Sequence, residues 1–257
     1  MTILSIIILS YNTKNLILNC INSIVRQYKK ELEDETLEIV VVDNASTDGS
    51  PSVISNFSFD PELRTEGQFP ISNLKIIKNK ENVGFAKGCN IGVKEAHGKY
   101  ILFLNSDTQV LDRGFLQMAR FLDKQKKIGI LGGKLLNSNG SLQPSGGNFY
   151  NLWNLFLMLI GGERIGLVRK SPQRIEKVDW VSGGCMMMKK DLFQKLSGFD
   201  EHFFMYVEDI ELCYRVKKLG LSTYFFPDCR VKHVSLGSGN RSFAIINIYK
   251  GILHFYS

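Results

Sequence analysis

Along the first 110 residues, short continuous apolar runs alternate with segments of helical spacing. Ile3 to Leu9 is a β-rich run, and Asn15 to Tyr28 then places Leu16, Cys20, Ile24 and Tyr28 on one helical face. Leu37 to Val42 predicts a second buried strand, Asp48 to Phe57 a short helix, and Leu74 to Ile77 a third strand. Gly84 to Ala96 predicts a helix and Tyr100 to Leu104 a fourth strand. This rhythm predicts an α/β fold, a mostly parallel sheet with helices on both faces. Beyond residue 110 the rhythm changes. A helix over 112–125 leads into glycine-broken strands and a Trp-, Phe- and Leu-rich patch at 149–160. A strand over 178–188, a helix over 208–219 and a strand over 222–226 follow. Ser58 to Asn73, with two prolines, a glycine and several charges, reads as a surface insertion. No repeat or low-complexity linker divides the chain, so residues 1–257 are expected to form one domain. Its halves would be about 1–110 and 111–257.

The 257 residues are 44% hydrophobic and 22% charged, a globular composition with enough chain for a substantial core. The net charge of +7 favours an anionic partner without choosing among nucleic acid, nucleotide phosphates and an anionic membrane. Cys20, Cys89, Cys185, Cys213 and Cys229 have no metal-ligand spacing. They predict buried free thiols in a reducing compartment, hence the cytoplasm. Ile3 to Leu9 has no basic region before it and reads as a strand, not a signal peptide. Leu152 to Ile160 is too short to span a bilayer.

Ligands of an open parallel sheet bind outside the carboxyl ends of its strands. Three such ends carry polar groups: Ser10, Tyr11 and Asn12; Asp43 and Asn44; and Asn105, Ser106 and Asp107. Taken singly, these residue types equally cap helices and make turns; three together predict a shared crevice. Neither G-x-G-x-x-G nor G-x-x-x-x-G-K-[ST] is present, so no glycine cradle holds phosphate. Asp107 instead offers a hard oxygen to Mg2+ or Mn2+ bridging a diphosphate. Glu208, Asp209 and Glu211 open a helix. There they suit the helix dipole and an i,i+4 pair of Glu211 with Arg215. The preceding Phe203-Phe204-Met205-Tyr206 equally suits walling off a carboxylate as a general base. His233 gains meaning only beside Asp107, as a second metal ligand from a distant segment.

Seven stretches carry a more specific signal: SIIILSYN (5–12), VVDNASTDGS (41–50), ENVGFAKGCN (81–90), FLNSD (103–107), VSGGCMM (181–187), GFDEHFFMYVEDIELCYR (198–215) and HVSLGSG (233–239). In this order the chain resembles glycosyltransferase family 2, in its rhamnosyltransferase-like branch. The resemblance implies the GT-A fold, in which a Rossmann-like nucleotide-binding half merges with an acceptor half. It implies that Asp43 bonds the nucleobase with Tyr11 and Asn12 beside it. Asn82, Gly84, Phe85 and Asn90 would pack around the nucleotide, next to Asn105 and Ser106. Asp107 and His233 would hold the divalent metal, Mg2+ or Mn2+, and Asp209 would be the catalytic base. Trp180, Gly183, Gly184 and Glu208 would border the donor sugar and acceptor. The implied partners are a nucleotide-sugar donor, dTDP-rhamnose first and UDP-sugars next, and a glycan or lipid-linked glycan acceptor. Asn105 departs from the pattern, standing where many relatives carry the first Asp of the metal motif. The chain also stops inside an apolar segment, Phe243 to Tyr256, where relatives often continue.

Other readings fit less of the sequence. A non-catalytic sugar-nucleotide-binding subunit would not need Asp43, Asp107, Asp209 and His233 together. A nucleotidyltransferase should carry a glycine-rich basic loop after the first strand. A nucleic-acid partner is not expected, because the basic residues are scattered and form no recognisable module. The apolar patch at 149–160, beside a segment at 163–177 with five basic and two acidic residues, suits peripheral docking on an anionic inner leaflet. It suits a core segment with a solvated flank equally well.

Overall fold

The computed structural model describes residues 1–57, 73–149, 154, 168–234 and 241–256. Strands β1 (Leu4–Ser10), β2 (Leu37–Asp43), β3 (Leu74–Lys78) and β4 (Tyr100–Asn105) alternate with helices α1 (Lys14–Glu33), α2 (Ser50–Ser55) and α3 (Phe85–Lys94). These strands pair in parallel in the order β3-β2-β1-β4. Parallel strands need crossover connections, and these helices supply them. The apolar runs of β1, β2 and β4 are buried on both faces. Ile6, Ile8, Ile39 and Leu102 pack against α1, whereas Ile7, Val40, Ile101 and Phe103 face the opposite layer with α3. Each such side chain contributes about 1.5–3 kcal/mol by burial. Helix α1 kinks at Tyr28 (φ −127°, ψ 26°), whose ring stacks on Phe115 at 5.3 Å.

The second half continues with β5 (Thr108–Val110), α4 (Gly114–Lys124), β6 (Ile128–Leu136), β7 (Leu142–Gln143), β8 (Gly146–Gly147), β9 (Arg169–Lys170), β10 (Glu176–Val178), β11 (Trp180–Val181), β12 (Cys185–Lys189), α5 (Lys190–Lys195), α6 (Glu208–Lys218), β13 (Ser222–His233) and α7 (Arg241–Tyr256). The main sheet runs β10-β13-β6-β12-β4-β1-β2-β3, with β12 antiparallel between β4 and β6. A small antiparallel sheet, β11-β8-β9, stands apart.

Two predicted strands are corrected. The run over 178–188 breaks into three pieces, because the Ser182 N–H donates to the Ser145 carbonyl and the chain turns at Gly183-Gly184. The pieces serve both sheets. The strand over 222–226 does not stop before Pro227. The ladder shifts register between Phe226 and Arg230 and resumes to His233, since a bulge tolerates a residue without an N–H.

All five cysteines are buried and free. No helix among the described residues is long and apolar enough to cross a membrane. Residues 58–72 of the predicted insertion at 58–73, most of the patch at 149–160, residues 163–167 of the basic segment and the turn at 235–239 lie outside the described residues.

Candidate active site

The carboxyl ends of β1, β2 and β4 lie side by side, with Ser10 opposite Asp43 and Leu9 opposite Asn105. Parallel pairing therefore brings together the three polar strand ends read from the sequence. Asp43 is 1% exposed; the Ser46 N–H donates to its Oδ2 at 3.0 Å, whereas its Oδ1 has no partner. A buried carboxylate oxygen without a donor is costly, and a nucleobase N–H is the type of group that would satisfy it. Asn12 (φ 53°) closes the same edge, its Oδ1 accepting from the Thr47 N–H at 2.8 Å, with Tyr11 half-buried next to it.

Across β2 an amide network builds the entry to α3. Asn79 Nδ2 donates to Asn44 Oδ1 at 2.7 Å, and Asn44 Nδ2 donates to Asn82 Oδ1 and to the Gly84 carbonyl at 3.1 and 3.0 Å. Asn82 Oδ1 also accepts the Gly84 N–H. Gly84, at φ 84° and ψ 179°, lies against Phe204, whose carbonyl accepts the Phe85 N–H at 2.6 Å. Asn90 is differently employed from the nucleotide contact that the resemblance implies. Its amide bonds both the N–H and the carbonyl of Phe199, at 2.9 Å each, and Glu201, joining α3 to the 199–201 turn.

A cavity of about 300 Å³ opens beyond β4. Phe85, Asn105, Trp180, Gly183, Gly184, Glu208, Asp209 and His233 line it, so eight of the residues expected at the site converge there. Ser106 is buried next to it in the chain. On one side β13 pairs with β5, His233 opposite Thr108. This pairing sets His233 Nε2 3.1 Å from Asp107 Oδ1 and 3.1 Å from Asn105 Nδ2. Gln143 Oε1 lies 2.8 Å from His233 Nδ1. A proton on Nδ1, donated to Gln143, leaves the Nε2 lone pair for a metal. One carboxylate and one oriented imidazole, with diphosphate oxygens to complete the shell, fit Mn2+ or Mg2+.

On the other side stands the start of α6. Tyr206 (φ 73°) and Val207 (φ 76°) are both left-handed, a costly state for a β-branched residue. The turn they form aims Glu208 and Asp209 inward while Glu211 turns away to pair with Arg215. Asp209 Oδ2 accepts the Gly183 N–H at 2.9 Å, and its Oδ1 accepts the Ile210 N–H at 2.8 Å. Burial raises its pKa, opposed by those donors and by the charge of Arg169. Glu208 is 5% exposed with an unpartnered Oε2; burial, and then the charge of Asp209, hold its pKa well above the ordinary carboxylate range. Of two neighbouring carboxyls, the better solvated by donors ionises and the other keeps the proton. Asp209, with two N–H donors, is the more readily ionised of the pair.

One consequence is a pH dependence of stability. A raised folded-state pKa means that the native protein holds a proton that the unfolded chain releases above about pH 4.3, so stability falls as pH rises through that window. Glu208→Gln should flatten this slope, with a higher Tm than wild type at pH 8 and a smaller difference at pH 5. Parallel Tm–pH curves would remove the assignment.

Gln143, Arg169 and Ile248 also line the cavity and escaped sequence reasoning. Arg169 belongs to the basic run considered for membrane docking, yet its guanidinium lies 5.9 Å from the Trp180 ring centre. Nothing in their local sequence marks these residues, because each arrives on a separate strand or helix.

The fold agrees with comparisons to known proteins. A family model described as "Glycosyl transferase family 2" matches residues 5–197, and one described as "N-terminal domain of galactosyltransferase" matches residues 169–236. The chain is 22% identical over 227 residues to the N-acetylglucosaminyl-diphospho-decaprenol L-rhamnosyltransferase of Mycobacterium tuberculosis, covering 81% of this chain and 70% of that one. It is 26% identical over 169 residues to rhamnosyltransferase WbbL of Escherichia coli, covering 62% of this chain and 64% of that one. The fold is similar to that of the mannosyltransferase PcManGT from Pyrobaculum calidifontis, solved with GDP-Man and Mn2+. That match has a TM-score of 0.63 and 20% identity, covering 94% of this chain and 59% of that one. The chain therefore spans about three-fifths to seven-tenths of these proteins.

Proposed function

The chain belongs to glycosyltransferase family 2, and from that premise we propose that it is an inverting enzyme. It would move a sugar from a nucleotide-sugar donor to a hydroxyl of a growing cell-surface polysaccharide or lipid-linked glycan. The observation that carries this reading is the placing, in one cavity, of a bonded carboxylate (Asp209) and an imidazole (His233) that lies 3.1 Å from the Asp107 carboxylate. Asp43, with its open Oδ1, receives the base, and Tyr11 and Asn12 close that end. Asp107 and His233 would hold Mn2+ or Mg2+, with Gln143 fixing the imidazole. When bound, the metal offsets the charge that grows on the departing diphosphate.

Asp209 takes the proton of the acceptor hydroxyl as that oxygen attacks the anomeric carbon from the face opposite the diphosphate. A single displacement inverts the configuration. Because the diphosphate leaves unprotonated, one proton-transfer carboxylate suffices, unlike the pair used by hydrolases. Glu208 stays protonated and offers a hydrogen bond to sugar or acceptor. Trp180, Gly183 and Gly184 shape the floor on which the sugar lies. The two rhamnosyltransferase relatives favour dTDP-rhamnose as donor, with UDP-sugars next.

Isothermal calorimetry with dTDP-rhamnose, UDP-glucose, UDP-galactose and GDP-mannose tests this reading. One donor should bind in the presence of Mn2+, with affinity falling at least tenfold when Mn2+ is omitted and in Asp107→Ala. Binding of the same donor indifferent to both changes would exclude the metal site. Absence of binding of every donor by folded protein would count against donor recognition at this site.

A further inference from the structure

Away from the cavity, α7 returns to the turn that precedes α6. Three side chains meet there from segments more than fifty residues apart. Asp200 Oδ1 lies 2.7 Å from His202 Nδ1, and Asp200 Oδ2 lies 3.0 Å from His254 Nε2. The two imidazole rings are 5.2 Å apart at 33°, and Phe203 packs edge-on against His254 at 4.9 Å. The ligand atoms of Asp200, His202 and His254 all fall within 4.8 Å of one another. We propose that Asp200, His202 and His254 form a second divalent-metal site, suited to Zn2+, that pins α7 to the turn carrying the cavity's carboxylates.

The donor set selects the ion. Two imidazoles and one carboxylate suit a borderline cation such as Zn2+ better than Mg2+. Zinc ligands in a tetrahedral shell stand about 3.3 Å apart, and both contacts to Asp200 are already that close or closer. The remaining adjustment is rotation of two solvent-facing imidazoles, His202 at 79% and His254 at 41% side-chain exposure. Three protein ligands leave one position for water. The cysteines do not compete, since all five are buried.

The site bears on the cavity because α7 already rests on it. A Cβ at Gly251 would stand 2.9 Å from Val207 Cγ2, so the helix backbone lies directly on the left-handed Tyr206-Val207 turn. Ile248 of the same helix lines the cavity. A metal joining His254 to Asp200 and His202 ties this wall at a second point, one half-turn to one turn beyond Gly251.

The test uses the full chain. Calorimetry with ZnCl2 should show an equivalent that persists in Asp107→Ala, with the affinity of that equivalent lowered at least tenfold in His202→Ala and in His254→Ala. Hydrogen exchange should slow over 200–207 and 241–256 when zinc is added. Each variant's Tm without metal reports that it is folded. Zinc binding unchanged in both histidine variants, or lost in Asp107→Ala instead, would overturn the proposal. So would unchanged exchange over the two segments at saturating zinc. None of these readouts depends on donor binding or turnover, so failure here leaves the glycosyl-transfer reading intact.

Discussion

Asp209→Asn is expected to keep its fold and donor affinity while kcat falls about 10²–10⁴-fold, the range for removing a positioned general base. The amide is nearly isosteric, and its oxygen still accepts one of the two N–H groups, from Gly183 or Ile210, that the carboxylate now holds. What it lacks is basicity. The pH profile separates this loss from a packing defect. Wild-type kcat/KM should rise with pH through an ionisation above the ordinary carboxylate range, because burial raises the Asp209 pKa. In the variant that limb should vanish, with donor KM little changed. A kcat within about fivefold of wild type, with the limb retained, would assign the proton transfer to another group.

The largest effect on stability is expected from Gly84→Ala. At φ 84° and ψ 179° the residue occupies a region open essentially to glycine alone, costing another residue about 1–3 kcal/mol. Space is lacking too: an added Cβ would stand 2.4 Å from the Phe204 carbonyl oxygen and 2.8 Å from its ring. The nearest obstacle is backbone, which cannot rotate aside. It belongs to the turn that leads into Glu208 and Asp209, and it accepts the Phe85 N–H. Together the strain and the displaced turn should lower unfolding free energy by about 2–5 kcal/mol, measured by urea denaturation. Residual protein should also lose activity, since the turn positions the carboxylates. A change below about 1 kcal/mol would mean that the turn adapts freely and does not fix the site.

How far these features were legible depends on their range along the chain. The strands ending at Ser10, Asp43 and Asn105 were readable because both faces of a parallel sheet are buried, so such strands appear as unbroken apolar runs. The pairing of Glu211 with Arg215 was readable because it is an i,i+4 contact within one helix. The ordered motifs carried the family, and the resemblance they support pointed to Asp107, Asp209 and His233. The second half was harder. Propensity ends a strand at Pro227, whereas the ladder resumes to His233 because β5 and β6 supply partners. Asn82 and Asn90 carry the types expected around a nucleotide, yet their amides bond backbone: the Gly84 N–H for one, Phe199 for the other. The sequence alone could not apportion them, since side-chain amides serve either purpose.

By itself the sequence determined the α/β class, the parallel half and the types of group at three strand ends, because local burial and periodicity are written into neighbouring residues. Only the tertiary structure decided how differently two adjacent carboxyls are surrounded. Glu208 and Asp209 differ by one position in the chain, and their surroundings separate only when Gly183, Ile210 and Arg169 converge on one and leave the other's Oε2 bare. Tertiary structure likewise decided that Gln143 orients His233 and that His254 meets Asp200. Such contacts join residues 54–90 positions apart, a range at which chain order places no constraint on distance.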